Sequence, residues 1–469
     1  MFYDNFSNYS SKIIIRHVGK ISFTILLGFG FPKWLSEYPG IMTPDSIWQV
    51  QQVLGLDSLN SHHPIVHTLW IKLWYEIGHV LGFQDNITIF GFVSLVQLIL
   101  HCAILALIIR YLYKKTQNNF MVFMAVLFYG LVPFNTSYAI TFWKDIIHAW
   151  VAALFLIALD SYMEDNTKSV KKQVFCIVML VILGVALCLF RNNGYYAVIL
   201  WSLLVAVYMI RIKNFQFILM MFLTIIISTF VKGPVYSHMN VVAGGYAENL
   251  SIPIQQIAYV ITNGRELKAD EKELLEKVVD IEEVPSRYVS WLSDPIKWMC
   301  NVDSGYFVDH KTEYLKLWIK IGIRYPIDYL TAFIKQTYGY YYPDTSYWVY
   351  ADGITQNEMG IEQKPILSAD LAKRIKNFGG DIWSQGLHCG LQIPLYGSCF
   401  NVATYTWILI AMIAYVLYRK KWGLFFQYLL LLCIFFTLMA ATPVYAEFRY
   451  YYSVVICLPW ILFSPMLKD

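Results

Sequence analysis

Eleven predominantly apolar stretches, each near the length of a membrane-crossing helix, constrain this chain more than any motif in it. They lie near 19–35, 64–83, 87–112, 119–135, 146–163, 173–190, 195–212, 215–232, 402–418, 423–441 and 450–466. A bilayer core of ~30 Å takes about 20 apolar residues of helix. Composition agrees, with 57% hydrophobic and 14% charged residues and a mean hydropathy of +0.48. Soluble domains carry roughly 25% charged residues, and a single water-soluble core stops growing at about 250–300 residues. Lipid is therefore the expected solvent and the bilayer the first expected partner. The formal charge of +4 is small and dispersed, so no nucleic acid partner is implied. Abundant Ile, Lys, Asn and Tyr suggest an AT-rich bacterial genome. The first stretch has no small-residue cleavage site and runs into Pro39-Gly40, so it reads as a retained helix.

Lys and Arg in short loops mark the cytoplasmic side. They cluster at Lys12/Arg16/Lys20, Arg110/Lys114/Lys115, Lys168/Lys171/Lys172, Arg211/Lys213 and Arg419/Lys420/Lys421. If all eleven stretches cross and the N-terminus is inside, every later cluster falls outside. If 64–83 does not cross, every cluster falls inside. That stretch contains Lys72 and Glu76, and a charge at a span centre costs roughly 2.5–3.5 kcal/mol. A helix lying in the interface avoids that cost. The expectation is an all-α polytopic membrane protein of about ten spans in a bacterial plasma membrane. Both termini are cytoplasmic, and residues 1–232 form a first module. An extracytoplasmic soluble insert follows over 233–401, then the last helices over 402–469.

This arrangement leaves the loop 36–86, the turns near 136–146 and Arg191, the insert and the turn 443–449 on one outer side. In the first loop, Thr43 suits an N-cap, Pro44 the first helical position and Gly55 the stop. Ile47, Val50 and Leu54 then form one apolar stripe that can rest on the membrane. Asp45 falls in the first turn, where complementing the helix dipole, worth about 0.3–1 kcal/mol, would be reason enough for it. Gln49 lies on the same short helix. His63 and His67 are four residues apart and could join Asp45 around a divalent cation; polar residues at a wet interface are the plainer reading. No other cofactor is implied.

Lys144-Asp145 opens a span on the same side, where an ionisable residue is either a cap or functional. Arg191 is an isolated outer cation. Glu447-Phe-Arg449-Tyr450 opens the last span. Two carboxylates, Asp45 and Asp145, with the cations Arg191 and Arg449, suit a hydroxyl acceptor and a phosphate leaving group. Arg matches phosphate through paired hydrogen bonds. In the insert, the aromatic run from Tyr338 to Tyr350 suits sugar stacking or a membrane-interface belt alike. Residues 269–279 read as a charged, solvated helix. Cys389 and Cys399 could form a disulfide, leaving Cys300 unpaired. There is no Walker loop, no GxGxxG and no CxxC.

This layout resembles the GT-C class of integral membrane glycosyltransferases, which use polyprenyl-phosphate-linked sugars. The likeness is strongest over the first ~160 residues. The matching residues are Asp45 in the first outer loop, His63-Pro64 opening a non-spanning helix, and Asp145 at the start of a later span. Asp45 is followed by Ser46, where the class often has Glu. The resemblance implies sugar transfer from a polyprenyl-phosphate donor to an envelope glycan, lipid or protein acceptor, by single inverting displacement. Asp45 would be the base, with Asp145 orienting base or acceptor. Arg191, Arg449 and Lys144 would bind donor phosphate, and His63, Gln49, Glu447 and Tyr450 substrate. The alternatives are a transporter or flippase for lipid-linked glycans, which needs polar residues at mid-span beyond Gln97 and His101, or an assembly protein.

The topology has a direct test. A cysteine at Gln84 should react with an impermeant maleimide from outside intact cells, and one at Thr116 only after lysis. The opposite pattern would scatter the acidic and basic residues to opposite sides.

Overall fold

The computed structural model describes residues 2–164, 170–245, 247, 250–345, 347–355, 359–380, 394–441 and 443–466. Lys168 and Cys389 lie outside these, and the expected pairing of Cys389 with Cys399 falls with them. Among the described residues the regular structure is helical, and extended pairing is limited to isolated bridges such as Ile41 with Thr141 and Met42 with Ile354.

Among the described residues seven helices are long and apolar enough to cross a membrane, which makes this a polytopic membrane protein. They belong to α1 (Phe2–Ser36), α4 (Asn86–Thr116), α7 (Lys144–Met163), α8 (Val170–Phe190), α9 (Asn192–Arg211), α10 (Phe215–Phe230) and the helix Trp422–Ala441. Helix α10 runs on to His238 through a π-helical turn at Val231–Val235, which carries Pro234. Asn119–Leu131 (α5) and Val402–Tyr418 are shorter apolar helices. Pro133 ends the α5 stretch and opens a short helix, α6 (Pro133–Tyr138). α7 is the centre of the bundle, buried along most of its length.

The stretch 64–83 is a helix of 16 residues, α3 (Ile65–Val80). Its Ile71 and Gly78 face the protein, whereas Lys72 and Glu76 are exposed. Before it, α2 (Pro44–Val53) departs from expectation. Its stripe does not rest on lipid. Ile47 and Val50 are buried with Met42, Ile71, Phe90 and Phe142, because α3 and α4 supply the apolar partner first.

The last stretch also departs. Instead of one continuous span, 448–466 is broken into Phe448–Tyr451, Tyr452–Val455, Leu458–Phe463 and Ser464–Met466. Pro459 and Pro465 cannot donate backbone hydrogen bonds. Broken backbone survives at membrane depth only when buried in protein that satisfies it. Here the Tyr129 hydroxyl donates to the Ile456 carbonyl at 2.5 Å, and the Tyr428 hydroxyl to that of Ile461 at 3.1 Å.

The insert forms a small helical lobe. The helices Ser251–Thr262, Ala269–Glu276, Lys311–Arg324 and Pro326–Thr337 enclose Val260, Leu275, Tyr314, Leu317 and Ile321. The charged helix is not wholly solvated. Glu271 is buried and takes two bonds from Arg324, at 2.6 and 2.7 Å. Arg324 thus ties one lobe helix to another. The chain after the lobe returns across one end of the bundle as a strap. Met42 N donates to Gly353 O at 3.0 Å, Lys364 N to Tyr38 O at 2.9 Å, and the Tyr138 hydroxyl to Val349 O at 2.5 Å.

Candidate functional site

The backbone around Asp45 is held before its side chain is considered. Ile41 N donates to Ile140 O at 3.0 Å, and Phe142 N to Ile41 O at 3.2 Å. This docks the start of α2 against the chain that opens α7. Thr43 sits at the N-cap of α2, yet its hydroxyl does not cap the helix; it accepts from Trp143 Nε1 at 2.7 Å. The Ser46 hydroxyl donates to Phe142 O at 2.9 Å. These bonds bring Asp45 beside Lys144, although they are far apart in sequence.

Asp45 Oδ2 accepts from Lys144 Nζ at 3.0 Å and from Arg449 Nη1 at 2.8 Å. Its side chain remains 28% exposed, against 13% for Lys144 and 10% for Arg449. The carboxylate is therefore the accessible member of a largely buried cluster. Arg449 Nε also reaches Glu447 Oε1 at 3.0 Å. The Arg449 guanidinium is boxed by the rings of Trp143, Tyr450 and Trp348, at 5.0, 5.1 and 5.7 Å. Cation–π contacts and two carboxylates thus fix one arginine from several sides. Trp348 comes from the aromatic run of the insert and is partly exposed.

Asp145 and Arg191 form a neighbouring, deeper pair at 3.2 Å, with side-chain exposures of 1% and 7%. Arg191 Nη1 also donates to Tyr450 O at 2.7 Å, and its guanidinium lies 4.6 Å from the Tyr450 ring. The Tyr450 ring thus contacts both guanidiniums, Arg191 at 4.6 Å and Arg449 at 5.1 Å. Arg191 is committed to Asp145 and Tyr450, which leaves Lys144 and Arg449 as the cations next to the accessible carboxylate.

His63 and His67 part company. His63 Nδ1 lies 3.3 Å from Lys144 Nζ, at the edge of the cluster. His67 Nδ1 instead pairs with Gln49 Oε1 at 2.8 Å, and Gln49 Nε2 donates to Thr68 Oγ1 at 2.9 Å. Gln49 is buried. It fastens α2 to α3, so the structure gives it a positioning place and not a substrate-facing one. The Asp45–His63–His67 set does not assemble, and no group of three His, Cys, Asp or Glu able to hold a metal forms among the described residues.

The protonation states follow from these surroundings. Burial pushes the Asp45 carboxyl up, but Arg449 and Lys144 outweigh it and hold it well below the usual carboxylate range. Glu447 behaves oppositely. Burial, reinforced by the charges of Asp45 and Asp145, lifts it to about 7 against the pull of Arg449. Burial, with Lys144 nearby, lowers His63 well below its usual value and takes His67 to about 3, so both imidazoles are neutral. With Glu447 protonated, the cations Lys144, Arg191 and Arg449 face the anions Asp45 and Asp145. The cluster then carries a net positive charge and suits an anion.

Sequence reasoning missed the Trp143–Arg449–Trp348 packing, for which no spacing rule exists. It also missed a second buried network near the other end of α7. There Asp160 takes bonds from Tyr111 at 2.8 Å and Gln427 at 2.9 Å and pairs with Lys115 at 2.6 Å. An acidic residue inside the apolar run of α7 was the available signal.

Glu447 sets a pH dependence. Its folded-state value lies above its unfolded one, so the folded state holds the extra proton between about 4.5 and about 7. Its stabilisation is present below that window and is lost as pH rises through it. The Asp45 contribution runs the other way but lies below the window. Glu447→Gln should therefore flatten the decline in melting temperature between pH 5 and 7.5, measured on detergent-purified protein. An unchanged slope would assign the decline to other groups.

No curated protein and no solved structure matches the chain. Residues 56–468 match the profile of a family of unknown function, DUF6020. The match takes in His63, Lys144, Asp145, Arg191, Glu447 and Arg449, and begins after Asp45. Extending over most of the sequence, it places this chain in the DUF6020 family.

Proposed function

We propose that this chain is an integral membrane glycosyltransferase of GT-C-like architecture, working at the outer face of a bacterial plasma membrane. In this reading it has ten spans: the seven long apolar helices, the two shorter ones and the broken final segment. α3 lies in the interface, and both termini are cytoplasmic. The enzyme moves a sugar from a polyprenyl-phosphate carrier to a hydroxyl of an envelope glycan, lipid or protein.

One observation carries the reading: a partly exposed carboxylate, Asp45, receives two cations at 3.0 and 2.8 Å within a box of aromatic rings. Without substrate, those cations make Asp45 a weak base. A donor phosphate competes for the same ammonium and guanidinium, which suit it by charge and geometry. As they turn to phosphate, Asp45 loses the charges that depress its pKa and gains an anionic neighbour, so its basicity rises. It then takes the proton of the acceptor hydroxyl. That oxygen bonds to the anomeric carbon while the bond from that carbon to the phosphate oxygen breaks. The lipid phosphate leaves with the bonding pair, neutralised by Lys144 and Arg449. Asp145, held by Arg191, positions the start of α7 that carries Lys144. Trp348 and Trp143 offer ring faces to the sugar.

The flippase reading gains little from Gln97 and Nδ1 of His101, which are held by neighbouring side chains and backbone. Gln97 donates to Thr141 O at 2.7 Å, and His101 Nδ1 accepts from Trp150 at 2.8 Å.

The test uses purified full-length protein with polyprenyl-phosphate sugars. Asp45→Asn should lower sugar release at least about a hundredfold, the lower end of what a positioned base contributes, with folding intact. Arg449→Lys should act mainly on the KM for donor. Full activity in D45N, or movement of intact carrier without sugar release, would overturn the proposal.

A further inference from the structure

The lobe contains a cavity of about 280 Å³ that the site around Asp45 does not use. It lies between the helices Ser251–Thr262, Ala269–Glu276 and Lys311–Arg324, with Ile254, Ile257, Ile261, Val279, Ile296 and Leu315 in its wall. The rest of the lining is almost wholly apolar. Its two polar ring groups are satisfied: the Tyr314 hydroxyl donates to Leu274 O at 2.8 Å, and Trp318 Nε1 to Gln256 Oε1 at 2.8 Å. An apolar cavity of this kind holds hydrocarbon in preference to water. Its volume sits at the low end of the roughly 300–1,000 Å³ of ligand sites, room for part of one chain.

The position of the cavity identifies the source of that chain. Leu315 is both a wall residue and 54% exposed, so the cavity is continuous with the lobe surface. On that surface Leu315, Ile319 and Ile323 form one exposed stripe, and Ile327, Leu330 and Ile334 on the next helix form another. Both have helical spacing. An exposed apolar face of this extent marks a contact surface. The second helix ends at the rim of the apolar bundle. Gln336 Nε2 donates to Pro443 O at 3.0 Å, and the Tyr340 hydroxyl to Val444 O at 3.1 Å, just beyond the helix Trp422–Ala441. The end of the second stripe therefore lies where a bilayer surface would meet the lobe, and Lys311 lines the cavity. Amphipathic helices with basic flanks bind such surfaces.

We infer that the hairpin 311–337 lies on the bilayer and that the lobe cavity takes up the hydrocarbon chain of an anionic membrane lipid, entering past Leu315. The occupant is a phospholipid of the surrounding bilayer, the lipid that the exposed stripes meet. The inference does not depend on sugar transfer.

Full-length protein in vesicles of phosphatidylglycerol with a tail-terminal diazirine should, on irradiation, be labelled on the inner wall of the helix Ser251–Thr262, at Ile254, Ile257 and Ile261. Ile257→Trp should remove that labelling. Should this variant fail to fold, the wild-type map decides alone. A diazirine-tailed polyprenyl phosphate is the second arm; wall labelling by that probe alone would overturn the phospholipid assignment. Label confined to the exposed stripes, or absent with both probes, would overturn the cavity assignment. Equal wall labelling by phosphatidylcholine carrying the same tail would overturn the preference for an anionic lipid.

Discussion

Asp45 is a carboxylate between an ammonium and a guanidinium, at the partly exposed edge of a cluster whose other charges are largely buried. Buried charges are expensive to desolvate and tolerable only when paired in good geometry, and removing one partner of a buried pair costs about 3–5 kcal/mol. That constraint organises this end of the molecule. Lys144 must stand at the first turn of α7, Arg449 must project from the turn before the last segment, and both must converge on one oxygen. The short backbone pairing of 41 with 140–142 sets the first requirement. The hold of Gln49 on His67 and Thr68 keeps α2 against α3, so Asp45 cannot drift from its cations.

The second requirement is met by a departure from regular structure. A continuous helix over 450–466 would have needed no help from its neighbours. The broken segment exposes carbonyls, and Tyr129, Tyr428 and Arg191 satisfy them from other helices. Arg191 thereby connects the deeper Asp145 pair to the backbone beside Arg449. The strap from the lobe completes the enclosure by placing Trp348 against the same guanidinium, so residues from widely separated parts of the chain meet at one site.

Much of this was legible in the sequence because bilayer physics is a coarse and unforgiving filter. Lys72 and Glu76 set α3 apart from the long apolar helices, and the distribution of Lys and Arg singled out the same segment. Loop sidedness grouped Asp45 and Asp145 with Arg191 and Arg449; the structure divides that group, giving Asp45 to Lys144 and Arg449 and Asp145 to Arg191. What escaped was decided by side-chain reach. His63 and His67 share one face of a helical wheel, but His67 Nδ1 is taken by Gln49. The stripe Ile47, Val50, Leu54 is equally suited to lipid or to protein, and only the proximity of α3 and α4 decides between them. Pro459 and Pro465 were visible, yet the apolar run around them reads as a span, because whether a proline breaks a membrane helix depends on partners elsewhere. Asp160 and Lys115 meet only once α4 and α7 are packed.

In the proposed mechanism phosphate takes the cations away from Asp45. The most direct measurement is a cryo-EM map of the protein bound to polyprenyl phosphate, the carrier left after transfer. Phosphate density between Lys144 and Arg449, with the Asp45 carboxylate released toward solvent, is the expected result. Phosphate bound elsewhere, with Asp45 still gripped by both cations, would contradict it.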